Sequence, residues 1–183
     1  MKSLIARGTR VLLTIATGGL LLIAPTGTWA QQRLKYSFKD PVGVTKYTEQ
    51  HTIDVGDIAG HQIRVASLQT KYATEAPEYD GVKVVEVMAS LASDYVGLSG
   101  RFVSYAVLQM ANGDKIFTRS EGLSQTSTLA DGGKKTSFTT VTTLTGGTGK
   151  FATIRGTNRG SGTTDLKTGT TSNPTEGEYW FEK

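Results

Sequence analysis

Ionisable side chains set inside apolar runs are the residues of this 183-residue chain whose types and spacing could do chemistry. Glu86 stands in the run Val82-Lys83-Val84-Val85-Glu86-Val87-Met88. On a wall lining a cavity, its carboxylate would be desolvated and its pKa raised toward general acid or base use. Pointing to solvent, or paired with a lysine such as Lys83, it is an ordinary strand glutamate. Arg119 and Glu121 follow Phe117 at alternate positions. Facing a cavity on a wall shared with Ser104 and Phe117, Arg119 and Glu121 would orient the polar group of an otherwise apolar ligand; facing outward, they are a surface ion pair of little energetic weight. Glu86 is therefore the catalytic candidate, and Ser104, Phe117, Arg119 and Glu121 are the ligand-contacting candidates. His51 and His61, the two histidines of the chain, flank a turn-like segment carrying Asp54 and Asp57. They could meet at a metal across a hairpin, but the spacing of an established metal motif is missing, and two strand residues beside a polar turn account for them. No metal site is assigned.

Other chemistries are excluded by what is missing. The stretch Gly146 to Lys150 resembles a phosphate loop only superficially, because that motif needs glycine where Leu144 stands, Ser or Thr where Phe151 stands, and a helix afterwards. A dinucleotide turn fails because Ala152 occupies the third glycine position. There is no G-x-S-x-G elbow, and no nucleophile is assigned. With no cysteine, disulfides, thiolate metal sites and thiol catalysis are absent. No cofactor is expected.

Residues 1–30 place Lys2, Arg7 and Arg10 before the apolar stretch Val11 to Ile23, then Pro25 and the small-residue end Thr28-Trp29-Ala30. This is the layout of a cleaved secretory signal, too short and too glycine-interrupted for a membrane span. The expected product is one soluble domain, residues 31–183, secreted or periplasmic, with no stable membrane insertion. Losing three basic residues from a total of 20 leaves 17 against 16 acidic ones, a net charge near +1. No basic run is interleaved with aromatics, which argues against nucleic acid as a partner.

From Gln31 onward, Thr, Val, Tyr and Gly dominate in runs of strand length, favouring antiparallel β structure. The runs predict strands at Arg33–Lys39, Val44–Val55, His61–Tyr72, Val82–Leu91, Arg101–Met110, Lys115–Leu123, Lys135–Leu144, Phe151–Arg155, Gly160–Leu166 and Gly177–Glu182. Val87 to Ser93 is ambiguous in period, and Lys167 to Glu176 reads as a flexible loop. So many short strands favour a closed, roughly eight-stranded barrel over an open sheet, since closure removes edges; a two-sheet sandwich is the alternative. Asn112-Gly113 signals a two-residue type I′ turn. That register pairs Leu108 with Phe117, Ala106 with Arg119, Ser104 with Glu121 and Phe102 with Leu123 on one face. Both faces of the hairpin are then apolar, so one is covered by a neighbouring subunit or an extra element.

Gly146, Gly147 and Gly149 punctuate Thr145-Gly-Gly-Thr-Gly-Lys-Phe-Ala-Thr-Ile-Arg-Gly156, where the chain can reverse sharply and deliver Phe151 to cap the core. This stretch resembles the G-G-T-G-x-F-x-x-A-x-G signature of dirigent proteins and the equivalent turn of allene oxide cyclases. The resemblance covers about a dozen residues and implies an allene-oxide-cyclase-like (calycin-like) barrel, typically trimeric. It also implies cofactor-free conformational control of a reactive apolar molecule, as a cyclase, an isomerase or a stereochemical guide. The expectation is an exported barrel binding a small hydrophobic molecule. Its alternative is a non-catalytic structural or protein-interaction barrel of the cell envelope.

Overall fold

The computed structural model describes residues 31–165, 171–172 and 174–183, all within the compact unit Gln31–Lys183. The expected leader lies outside the described residues, as do Leu166 and residues 167–170 and 173 of the expected loop. The described residues are antiparallel β almost throughout. Its strands are β1 (Leu34–Lys39), β2 (Thr45–Asp54), β3 (His61–Lys71), β4 (Glu78–Tyr79), β5 (Val82–Val96), β6 (Ser99–Met110), β7 (Lys115–Thr128), β8 (Lys134–Gly147), β9 (Ile154–Asp165), β10 (Thr171–Ser172) and β11 (Pro174–Phe181). Val87 to Ser93 is strand. The two strands expected at Phe151–Arg155 and Gly160–Leu166 are one continuous β9, because its glycines face the neighbouring strand instead of breaking the ladder: Gly156 lies opposite Leu144, and Gly160 opposite Thr140. Pro174 to Glu176, expected in a loop, open β11 and pair with β1 and β9.

The sheet order is β1-β11-β9-β8-β7-β6-β5-β3-β2, with β10 on β9 and β4 on β5. The expected closed eight-stranded barrel is not formed: among the described residues no ladder joins the terminal strands β1 and β2. Side-chain contacts, instead of a backbone ladder, close one end. Tyr36 of β1 stacks on Tyr79 at 4.7 Å and 11°, and Phe38 meets the Tyr72 ring edge-on at 5.9 Å. Tyr72 donates to Asp40 at 2.6 Å. Strand β2 is exposed along its length, and a bulge between Tyr47 and Glu49 interrupts its pairing with β3. An edge of that kind has no second strand to receive it.

One face of the sheet carries the core. Val84, Met110, Ile116, Leu144, Phe151 and Ile154 are fully buried at the end where β1 curls in, with Tyr79, Leu108 and Tyr179 around them. Phe151 caps this cluster as expected, but from a short 3₁₀ turn, Gly149–Phe151, that precedes β9. The glycines of this turn serve close approach. A Cβ on Gly147 would lie 2.2 Å from the Lys115 carbonyl oxygen, and one on Gly149 would lie 2.0 Å from the Asp114 carboxylate, at a φ of +51°. That carboxylate accepts the Lys150 amide at 3.0 Å, which locks the turn onto the β6–β7 hairpin.

The β6–β7 register differs from expectation by one residue. Asn112 does not have the positive φ that a type I′ turn requires, whereas Gly113 has φ +88°. Gly113 N donates to Met110 O at 3.0 Å, and Met110 N to Asp114 O at 2.9 Å. This is a type I turn followed by a left-handed glycine bulge, a three-residue loop. Leu108 consequently faces Ile116, Ala106 faces Thr118, Ser104 faces Ser120 and Phe102 faces Gly122. One residue of slip sends every β7 side chain to the opposite face. True two-residue turns with paired positive φ occur elsewhere, at Asp80-Gly81 and Gly97-Leu98.

Candidate functional site

With the register settled, Phe102, Ser104, Ala106 and Leu108 share the core face with Ile116, Thr118 and Ser120. Phe117, Arg119, Glu121 and Leu123 lie on the opposite, open face with Val103, Tyr105 and Val107. Of the ligand-contacting candidates, three are thus on the open face and Ser104 is behind them. Arg119 pairs with Glu121 and bonds Tyr105, and these two contacts, Tyr105 first, raise the guanidinium pKa. Glu86 is also on the open face. It accepts from Gln69 Nε2 at 2.6 Å and lies 3.7 Å from Lys71, so it does not occupy the lumen position on which its acid–base reading rests. Its lysine neighbour is on β3, opposite it in the ladder.

The open face holds a trough of about 1190 Å³ crossing the strands from β5 to β11. Its floor is the backbone around Ser93, Phe102, Gly122, Thr140 and Gly160, residues that are register partners from strand to strand. One wall is the row Ala92, Val103, Glu121, Val141, Arg159 and Glu176; the other begins with Asp94, Arg101 and Leu123. Leu123 is 55 % exposed and Val141 48 %. The trough therefore combines apolar side chains with charges of both signs. The expectation that both hairpin faces are apolar holds, and the face left uncovered is the one carrying Phe117 and Leu123.

The histidines do not converge. His51 Nε2 bonds Glu49 at 2.8 Å, while His61 bridges Asp57 (Nδ1, 2.5 Å) and Asp94 (Nε2, 2.8 Å). These bonds raise the His61 pKa, Asp94 contributing most, and the His61 bond lowers that of Asp57. Among the described residues no group of three or more His, Asp or Glu is arranged to hold a metal.

Two polar clusters on the core face have no counterpart in the sequence reading. Arg64 lies 5.4 Å from the Tyr47 ring and 5.7 Å from that of Tyr95, with its Nε buried and unpartnered. Opposite it on β5 is Ser93, whose buried hydroxyl, like that Nε, has no partner among the described residues. At the packed end Tyr79 accepts from Asn158 Nδ2 at 3.3 Å, and burial pushes its pKa up to about 12. Burial likewise raises Tyr36 and Tyr72. These phenols stay protonated and serve packing. The period-2 pattern marks such residues as strand residues, but their meeting depends on how β1 curls over β4.

No family model, curated protein or solved structure matches this chain.

Proposed function

We propose that this is an exported β protein that holds a small hydrophobic molecule, with the open-face trough as the binding site. The supporting observation is the trough's combination of size, exposed Leu123 and Val141, and flanking charges. Ligand sites are concave, mostly apolar and fitted with a few polar groups that set orientation. In this reading Arg119 and Glu121 act at the rim, and the protein contributes orientation without a cofactor, as the resemblance to allene oxide cyclases and dirigent proteins implies. The secretory leader belongs to the same reading. The experiment is native mass spectrometry of the chain from Gln31, purified without detergent from its own host. A retained lipid-sized or phenolic adduct, lost in Val141→Asp, is the expected result. An adduct that survives Val141→Asp would place the site elsewhere, and failure of every such apolar candidate to bind would sink the proposal.

A second reading, a non-catalytic interaction protein, is favoured by the extent of apolar exposure beyond the trough. Ile53, Val65, Met88, Tyr105 and Phe117 continue it across the open face, each between 37 % and 70 % exposed. That is more than one small molecule covers.

A further inference from the structure

Three charged residues of the trough, Arg101, Arg159 and Glu176, make no ion pair among the described residues and stand exposed beside apolar side chains. Their arrangement has a symmetry. Counting outward from β8 in the sheet order, β7 and β9 are first neighbours, β6 and β11 second, and β5 and β1 third. In the row containing Val141 of β8, Glu121 of β7 stands on one side and Arg159 of β9 on the other. One strand further out, Glu176 on β11 stays in that row opposite Val103 on β6, while the adjacent row carries Arg101 on β6 and, beyond it, Asp94 on β5 and Lys39 on β1. Each strand pair related by β8 thus carries opposite charges, and the centre is apolar.

We propose that the open face is the interface of a homodimer whose two-fold axis runs parallel to β8 at Val141. Rotation about that axis lays β7 of one copy over β9 of the other, keeping the height along the strands. Glu121 then meets Arg159 of the second copy, and Val141 meets its own equivalent. Arg101 is one side-chain row away from Glu176 of the second copy, about 7 Å along the strand, within reach of its long side chain. Asp94 faces Lys39. Glu121 keeps Arg119 as its internal partner, and its side chain is 61 % exposed, leaving it open to a second cation. A two-fold interface must be self-complementary in this way. The face is also wide enough: six strand spacings cover about 29 Å, and eight residues along each strand, six on β1, bring the area close to the roughly 800 Å² per partner of a specific complex. Strands β6 to β8 are longer than that. The inference goes beyond the ligand reading, since the pairing roofs the trough whether or not a molecule lies inside.

The experiment is sedimentation equilibrium of the chain from Gln31 and of two charge reversals, Glu121→Arg and Arg159→Glu, with circular dichroism to establish that each is folded. The wild type should be a dimer. Each reversal alone should weaken it at least about 100-fold, because it sets like charges against each other twice. An equimolar mixture of the two reversed chains should dimerise again, since at both contacts an arginine of the first chain then faces a glutamate of the second. A monomeric or trimeric wild type, reversals that leave the dimer intact, or a mixture that stays monomeric would each overturn the proposal. Binding of the dye ANS to a monomeric wild type, abolished by Val141→Asp, would preserve the ligand reading while removing the dimer.

Discussion

His61 shows how far one residue's role depends on distant parts of the chain. Asp57 is four residues away on the β2–β3 connection, but Asp94, which contributes most to the raised pKa, arrives from β5. Arg101 is the cross-strand neighbour of Asp94 on β6. Because the folded histidine holds its proton more tightly than the unfolded one, its contribution to stability is fully present below the ordinary value near 6.5. It is lost as pH rises through the raised folded pKa. Asp57 has the opposite sign: its contribution is present above the ordinary 3.8 and lost as pH falls through its lowered folded pKa. Urea midpoints measured from mildly acid to mildly alkaline buffer should therefore decline for the wild type and stay flat for His61→Gln. An equal decline in the variant would assign it to other groups.

At the scale of the element, the β6–β7 hairpin turns on one loop residue. Gly113 must be left-handed for the bulge to form, while no atom lies within 4 Å of where its Cβ would be. Backbone conformation alone should then set the effect of substitution. Gly113→Ala is expected to cost about 1 kcal/mol, and Gly113→Asn clearly less, because asparagine visits the left-handed region more readily. Thermal melts of the two variants check this; equal losses would point to a contact of the side chain instead. The alternation of apolar and polar residues made both strands legible in the sequence. It did not reveal which β7 residues join the core, because Asn-Gly serves a two-residue turn and a three-residue one alike, and their registers differ by one.

For the whole molecule, stability is concentrated at the end where Tyr36 stacks on Tyr79. Phe151 is completely buried there, its ring 6.3 Å from that of Phe181. Phe151→Ala should cost about 3–5 kcal/mol in denaturant unfolding. Trp180 lies on the open face of β11, with the Arg33 guanidinium 4.5 Å from its ring. Losing that contact in Trp180→Ala should cost about 0.5–1 kcal/mol beyond the lost burial. Comparable losses at the two positions would contradict a core placed at one end. The glycine-rich stretch before Phe151 was legible as a turn that delivers an aromatic to the core. Its docking against Asp114 was not, since Asp114 is contributed by the neighbouring hairpin.

The amino-acid sequence by itself determined the antiparallel all-β class, most strand positions and the buried role of Phe151, because alternation, β propensity and glycine punctuation act over a few residues. Tertiary structure decided what spans the sheet. It left β1 and β2 unpaired with each other, placed Phe117, Arg119 and Glu121 on the open face and Ser104 on the core face, and set Glu121 and Arg159 on either side of Val141, with Arg101 one side-chain row from the place that mirrors Glu176. The physical reason is that facing direction depends on the parity of each turn and bulge, while neighbourhood across strands depends on the order in which the whole sheet assembles. Neither is encoded within any single run of residues.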